Sequence, residues 1–443
     1  MTLDRRDLLV RTVLLVGAGA LAAAGCRSDD DARTAAAAKG LDTWAGVQES
    51  FELDRSRAQL SSFLLAPHPR PVREAIDEHR RRLDADTAAY LQDEEERLEA
   101  ELLQAAAAYL GVAPDELAVT GSTTMGLGLL YATLALDSGE EIVTTEHDFY
   151  STHEALRLRA EATGAAVRRV RLYDEPATAS EDAIVEAIRA AVTPRTRAVA
   201  LTWVHSSTGV KLPIRSIADA LAARDAELGK RPTLVCLDAV HGFGVEPEPL
   251  ADLGCHFVVS GCHKWLFGPR GTGIVWGRAD AWADVSPTIP SFTDRESFQA
   301  WLRVREPSAP TSAAAFTPGG YQAFEHRWAL ADAFAFRQEI GRERAAERTR
   351  ALAGRLKAGL TDIPGLVVRT PLGVRLSSGL VCCDVPAATS SPEAFVHELR
   401  EEHGVVASLT PYAARYLRFG PSIVNSEAEV DRALEAVRQL AGR

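Results

Sequence analysis

The sequence has no C-x-x-C pair, no H-E-x-x-H motif and no Cys/His cluster at zinc-site spacing, so neither a disulfide-stapled domain nor a metal centre is indicated. Its six cysteines, Cys26, Cys236, Cys255, Cys262, Cys382 and Cys383, are too sparse in 443 residues to replace a packed core. Cys236 lies in an apolar strand pattern and reads as a small buried hydrophobe. Positive charge is also short: 49 Lys and Arg stand against 61 Asp and Glu, a net −12, which disfavours a nucleic-acid partner. Internal repeats are absent. What is present, 46% hydrophobic and 25% charged residues, is the balance of a globular protein and excludes a disordered, collagenous or multi-span membrane chain. The length suits one large domain and one small one.

The N-terminus reads as an export signal. Asp4, Arg5, Arg6, Asp7 and Arg11 precede an uncharged run of 14 residues from Thr12 to Gly25, whereas a membrane-spanning helix needs about 20. Arg5-Arg6 followed by Leu8-Leu9 resembles a twin-arginine signal, and Ala23-Ala24-Gly25-Cys26 resembles a lipoprotein cleavage site, with Ala23 where Leu is preferred. A frayed helix on a cytoplasmic protein is the alternative. The expectation is an exported protein, periplasmic or at the cell surface, reaching the membrane only through this signal or a lipid at Cys26. Cleavage before Cys26 removes three positive and two negative charges and leaves −13. The G-x-G-x-x-A pattern at Gly17 to Ala22 lies inside the signal without a preceding strand, so it is a decoy for a dinucleotide site. Arg27 to Gly40 is polar and Ala-rich, as in a tether.

In the body, β-branched runs predict strands at Leu117 to Thr120, Glu141 to Thr145, Val167 to Leu172, Ala198 to Trp203, Thr233 to Leu237, Phe257 to Ser260 and Gly273 to Trp276. Helical patterns at Thr123 to Leu136, Thr152 to Ala162, Glu181 to Ala191 and Ile214 to Leu228 separate the first five, which predicts an α/β fold with a mainly parallel seven-stranded sheet. The last two gaps are too short for crossover helices, which allows one antiparallel strand near the end of the sheet. A long helix is predicted from about Gln322 to Leu360, with its Arg/Glu-rich part, Arg337 to Arg350, a solvated face. Strand-like Gly379 to Val385 and Val405 to Leu409, with helices at Pro392 to Glu402 and Glu427 to Leu440, predict a small α+β domain. The expected division is signal 1–25, tether 26–50, large domain 51–320, and linking helix with small domain 321–443.

Candidate chemistry gathers where strands end. Lys264, in Ser260-Gly261-Cys262-His263-Lys264-Trp265, lies in a Gly-rich turn after a strand, where a desolvated amine can act as a nucleophile; a surface lysine among core aromatics is the plainer reading. Asp238 ends an apolar strand and needs a cation or hydrogen bond there, although it could equally cap a helix. His241 follows three residues later. Thr120-Gly121-Ser122-Thr123-Thr124 joins a strand end to a helix start, which suits a phosphate or a simple cap. His147 ends the second strand, where an imidazole could stack on a flat ring. All these segments fall on one edge of the predicted sheet, where α/β proteins bind ligands.

Together the residues resemble the class V aminotransferases, pyridoxal-phosphate enzymes of fold type I that include cysteine desulfurases and isopenicillin N epimerase, over roughly Phe51 to Arg443. The resemblance implies a fold type I domain, pyridoxal 5'-phosphate as cofactor, an amino acid as small-molecule substrate and a homodimer. It makes Lys264 the Schiff-base lysine, Asp238 the partner of the pyridine nitrogen, His147 the stacking residue and His241 a contact to the ring oxygen. It places Ser122, Thr123 and Thr124 at the phosphate, with Ser260 and His263 beside the lysine, and Ser206 as a further ring-oxygen donor. Arg418 in Leu417-Arg418-Phe419-Gly420 would grip the substrate carboxylate, although Gly420 and Val424 depart from the Ser and Tyr of relatives. Thr317, before Pro318-Gly319-Gly320, would reach the phosphate of a neighbouring subunit. No cysteine lies between Glu401 and Arg418, which disfavours a desulfurase route. Transamination is placed first, epimerisation second and β-elimination third, with a non-catalytic scaffold as the reading from another class.

Overall fold

The computed structural model describes residues 40–306, 312–386 and 391–442. The signal, Cys26 and the tether up to residue 39 lie outside the described residues, and no helix among the described residues is long and apolar enough to cross a membrane.

Seven strands form the central sheet: β1 (Leu117–Thr120), β2 (Glu141–Thr145), β3 (Ala166–Val170), β4 (Thr196–Thr202), β5 (Leu234–Asp238), β6 (Phe257–Gly261) and β7 (Gly273–Gly277). All but β3 are buried at every position, because helices cover both faces and leave no polar alternation. The spatial order is β1-β7-β6-β5-β4-β2-β3. Only β7 runs antiparallel, to both β1 and β6. The predicted antiparallel strand is therefore present and near the end of the sheet, second from its edge and inserted between β6 and β1. Short gaps reveal a hairpin; they do not reveal which free edge receives it.

Helices α1 (Arg70–Ala85) and α2 (Thr87–Leu110) precede the sheet. Next come α3 (Thr123–Thr133), α4 (Tyr150–Thr163), α5 (Glu181–Ala191) and α6 (Ile214–Leu228). Each of these four follows a strand that it helps to cover. Leu212, Ile217, Leu221 and Trp203 share one apolar core with Val199, Val235 and Val258, while Leu127, Leu130 and Leu156 pack with Ala198, Cys236 and Val259 on the other. Cys236 is fully buried, as its strand pattern predicts, and burial pushes its thiol up to about 12.

The single long helix is corrected by the structure. Helical segments Phe324–Trp328, α7 (Leu330–Ile340) and α8 (Arg342–Thr361) are separated at Ala329 and at Gly341, whose φ of 88° no continuous helix accommodates. The solvated-face expectation for Arg337 to Arg350 holds for Glu339, Glu343 and Glu347, which are exposed, but not for two of the arginines. Arg337 is buried with a guanidinium N–H donating to the Gly244 carbonyl, and Arg348 is buried against Glu427 and the Asn425 carbonyl. Helix periodicity alone does not say which Arg lies beneath a neighbouring element.

Beyond α8, strands β8 (Val381–Cys383), β9 (Ser408–Leu409) and β10 (Leu417–Phe419) form an antiparallel sheet in the order β9-β10-β8. With α9 (Pro392–Glu401) and α10 (Glu427–Ala441), these strands enclose a core of Leu356, Val381, Phe395, Leu417, Phe419 and Val437. The N-terminal residues Ala58 and Leu60 enter the same core, and Ala58–Gln59 pairs in parallel with Val405–Val406. The predicted strand Val405 to Leu409 is thereby split between two partners.

Candidate active site

The C-terminal ends of β2, β4, β5 and β6 lie side by side, and the candidate residues follow them. Asp238 closes β5 and is 1% exposed; its Oδ1 accepts the Val240 N–H at 3.0 Å. Burial pushes its carboxyl up to about 6, opposed by that N–H and by the charge of Lys264. Lys264 follows β6 after three residues. Burial brings its amine down to about 8; Asp238 counters the shift and Arg418 adds to it. The mutual influence of Asp238 and Lys264 brings the two groups that the sequence paired into one site. Lys264 has no side-chain hydrogen bond or ion pair among the described residues, so its amine remains available for chemistry.

His241 is buried, and burial holds it well below the usual imidazole range, with Lys264 and Arg418 adding to the effect. The indole N–H of Trp265 donates to its Nδ1 at 3.1 Å. Because indole is a donor only, Nδ1 must be unprotonated and the neutral ring carries its proton on Nε2. Trp265 also stacks on Phe63, at 5.8 Å between ring centroids and 18° between planes. It is therefore both the core aromatic that the sequence suggested and the group that sets the His241 tautomer.

At the end of β2, the His147 Nε2 accepts the Leu172 N–H at 3.2 Å, which with burial favours a neutral ring. One face lies on Tyr173, 3.9 Å between centroids and 16° from parallel. His205 is 5.3 Å from His147 and 5.8 Å from Tyr173, too close to Tyr173 to occupy the opposite face of His147. The tyrosine hydroxyl joins His205 Nδ1 at 2.8 Å and the Thr208 hydroxyl at 2.9 Å. This backing of His147 has no local sequence signal, since it joins the segments after β2, β3 and β4.

The phosphate candidates converge around the start of α3. Ser122 caps that helix, its hydroxyl accepting the Met125 N–H at 3.1 Å. Thr123 Oγ1 accepts the Gly261 N–H at 2.7 Å, and Thr124 is exposed. The Ser260 hydroxyl donates to the Gly261 carbonyl at 3.1 Å, while His263 Nδ1 faces the Thr272 carbonyl at 3.4 Å. Gly261 permits this convergence: a Cβ there would lie 2.8 Å from His263 Cε1 and 3.1 Å from Thr123 Oγ1. The helix start, an imidazole and hydroxyl groups thus meet at a point that fits an anion. Thr317 is placed differently. Its buried hydroxyl accepts the Val119 N–H at 3.1 Å and donates to the Ala313 carbonyl at 3.3 Å, so it is occupied within its own chain and not presented outward.

Arg418, on β10, is 3% exposed. It donates to the Ser206 carbonyl at 3.0 Å, and more weakly to the Ser408 hydroxyl at 3.3 Å and the Leu409 carbonyl at 3.5 Å. Its guanidinium also lies 4.9 Å from the centre of the Phe63 ring. Among the described residues it has no carboxylate partner, and burial lowers its proton affinity. A buried cation with only neutral acceptors is suited to receive an anion. Gly420, one of the departures noted in the sequence, follows from Phe63: a Cβ there would lie 2.3 Å from its Cδ1. The Ser206 hydroxyl is shared with Tyr412, at 2.7 Å, a contact between residues far apart in sequence.

Residues 66–432 match the family described as Aminotransferase class-V. The chain is 27% identical over 411 residues to an isopenicillin N epimerase of Amycolatopsis lactamdurans, covering 90% of this chain and 98% of that protein. A probable cysteine desulfurase of Streptomyces coelicolor is 26% identical over 325 residues, covering 69% and 72%. Among solved structures, a lysine-to-alanine mutant of C-DES, with glycine covalently linked to its PLP cofactor, superposes with a TM-score of 0.77 at 20% identity, covering 88% of this chain and 98% of that one. A cysteine desulfurase of Escherichia coli in its S-sulfonic acid form gives 0.73 at 20% identity, covering 90% and 98%.

Proposed function

From the premise that this chain belongs to the class V aminotransferase family and is a pyridoxal-phosphate-dependent enzyme of fold type I, we propose that it inverts the α carbon of an amino acid. The observation that carries the substrate class is Arg418, a buried guanidinium without an anionic partner among the described residues, beside the amine of Lys264.

The residues fit the cofactor. Lys264 would hold it covalently, Asp238 would supply an anion for its ring nitrogen, His147 a flat surface for its ring, and His241 a donor for its ring oxygen. The start of α3, with Ser122, Thr123, Thr124, Ser260 and His263, would receive its phosphate. When bound, the cofactor supplies an electron sink for the α carbon. The chain supplies the rest: Arg418 holds the α-carboxylate by its planar fork, and Lys264, with its proton affinity brought near neutrality, removes the α proton.

The order of reactions changes from that expected from sequence. Relatives that match across 90% of the chain carry the name isopenicillin N epimerase, which favours inversion over transamination. A β-lyase is the second reading, supported by the desulfurase relatives. Cofactor content and reaction are tested together. The purified protein is expected to carry a visible absorption band that borohydride bleaches and that Lys264→Ala lacks. Incubation with isopenicillin N is expected to yield its α-carbon epimer. A colourless protein that ignores added pyridoxal phosphate refutes the enzyme reading; keto acid or an eliminated fragment as the product refutes inversion. We further propose the homodimer and the exported location implied by the sequence.

A further inference from the structure

Residues Thr410 to Tyr416 connect β9 to β10, the strand that carries Arg418. The connection is internally braced: the Thr410 N–H donates to the Tyr416 carbonyl at 2.9 Å, while the Thr410 hydroxyl donates to the Ala414 carbonyl and accepts the Tyr416 N–H, each at 2.9 Å. This frame holds Tyr412 over the ends of two sheet strands. Its hydroxyl shares the 2.7 Å hydrogen bond with Ser206, after β4, and its ring meets Phe149, after β2, edge-on at 5.9 Å.

Sheet order sets Tyr412 against Lys264. Running across the sheet, β6 leads to Lys264, β5 carries Asp238, and β4 and β2 lead to the two Tyr412 contacts. Tyr412 and Lys264 therefore approach from opposite flanks of Asp238. Each feels the charges of both Asp238 and Arg418, which ties both groups to the place where the carboxylate of an amino acid is held. Burial keeps the phenol protonated, as a proton donor requires.

We propose that Tyr412 is the second proton-transfer residue, delivering a proton to the α carbon from the side opposite Lys264. This rests on the reading of Lys264 and Arg418 given above. The Cα–H bond breaks as an N–H bond forms on neutral Lys264, and its electron pair stays with the substrate. The Tyr412 O–H bond then breaks as a new Cα–H bond forms on the other side. The resulting phenolate is stabilised by the Ser206 hydroxyl and takes a proton from water, while the Lys264 ammonium returns one to water. Charge and protons balance over the cycle. A lysine acting alone returns the proton to the side from which it came and leaves the configuration unchanged.

Glycine in heavy water tests the assignment, because its two α hydrogens report the two sides without a side-chain requirement. Mass spectrometry counts the deuterium incorporated by the parent holoenzyme, Tyr412→Phe, Ser206→Ala and Lys264→Ala. The parent is expected to incorporate two. Tyr412→Phe should retain the visible band and the first exchange, while the second slows by about 10²-fold or more, the range for loss of a positioned acid. Ser206→Ala should slow the second exchange to a smaller extent. Two deuterons at parental rates in Tyr412→Phe would overturn the proposal, as would a parent that incorporates one. A parent that incorporates none, matching Lys264→Ala, would remove the underlying reading and the Tyr412 assignment with it.

Discussion

Replacing Arg418 by Met separates a binding role from a structural one, because the two make opposite demands on stability. The guanidinium is buried, yet only its 3.0 Å bond to the Ser206 carbonyl lies in the usual range for N–H···O; the others are 3.3 and 3.5 Å. Removing the cation relieves its desolvation and removes one good hydrogen bond and the Phe63 interaction, so these effects offset. The urea midpoint of the cofactor-free protein should change by the equivalent of about 1 kcal/mol or less. Carboxylate binding should behave differently. Taking away one partner of a buried cation–carboxylate pair costs about 3 to 5 kcal/mol. At about 1.4 kcal/mol per factor of ten, glycine affinity should fall by about 10² to 4 × 10³. Titration of the visible band with glycine gives that affinity. Arg418→Lys, which keeps the charge but not the fork, should weaken binding less, by about tenfold. A Met variant destabilised by about 3 kcal/mol or more with unchanged glycine affinity would show that Arg418 ties the Ser206 segment to β9 and β10 and has no part in holding the substrate.

Two other perturbations address neighbouring groups. Asp238→Asn should change the pH dependence of stability. The carboxyl is raised to about 6 in the cofactor-free fold, against about 4 unfolded, so its favourable contribution is complete below pH 4 and is lost as pH rises through 6. Over that window the parent should lose on the order of 2 to 3 kcal/mol relative to the Asn variant, measured by urea unfolding; parallel curves would refute the burial argument. Trp265→Phe removes the donor to His241 Nδ1 and frees the choice of tautomer. The pH titration of the visible band in the loaded enzyme should shift by about one unit, the scale of a single net hydrogen bond, while cofactor is retained. An unchanged titration would assign Trp265 to packing against Phe63 alone.

The sheet was legible because its strands are short runs rich in β-branched and apolar residues, punctuated by helices of ordinary length. Glu141–Thr145, for example, is buried along its whole run, and the predicted boundaries match those observed. Features decided by a partner elsewhere in the chain were not legible. Periodicity continued through Gly341, where the backbone turns away from the helix, and gave Arg337 a solvated face although the fold covers it. Insertion of β7 between β1 and β6 is likewise a choice of free edge that gap length does not encode.

The same distinction runs through the site. Lys264, Asp238 and His147 were readable because each occurs at a strand end, and parallel topology gathers strand ends on one edge. Tyr173, His205 and Tyr412 were not, because each acquires its partner only when separate segments meet: Tyr173 backs His147 across 26 residues of sequence, and Tyr412 reaches Ser206 across 206. Trp265 stands between these cases, since its place beside Lys264 was visible but its bond to His241 was not. Charge pairing gives the division an energetic meaning. Outside the site, buried Glu246 is matched by Lys211 and Arg350, and buried Arg327 by Glu99. Within it, Asp238 and Arg418 are buried without ion-pair partners among the described residues, which opposes folding. A cofactor cation and a substrate carboxylate would each relieve one of those charges, whereas Arg337 and Lys357, buried outside the site, rest on carbonyl and hydroxyl acceptors alone.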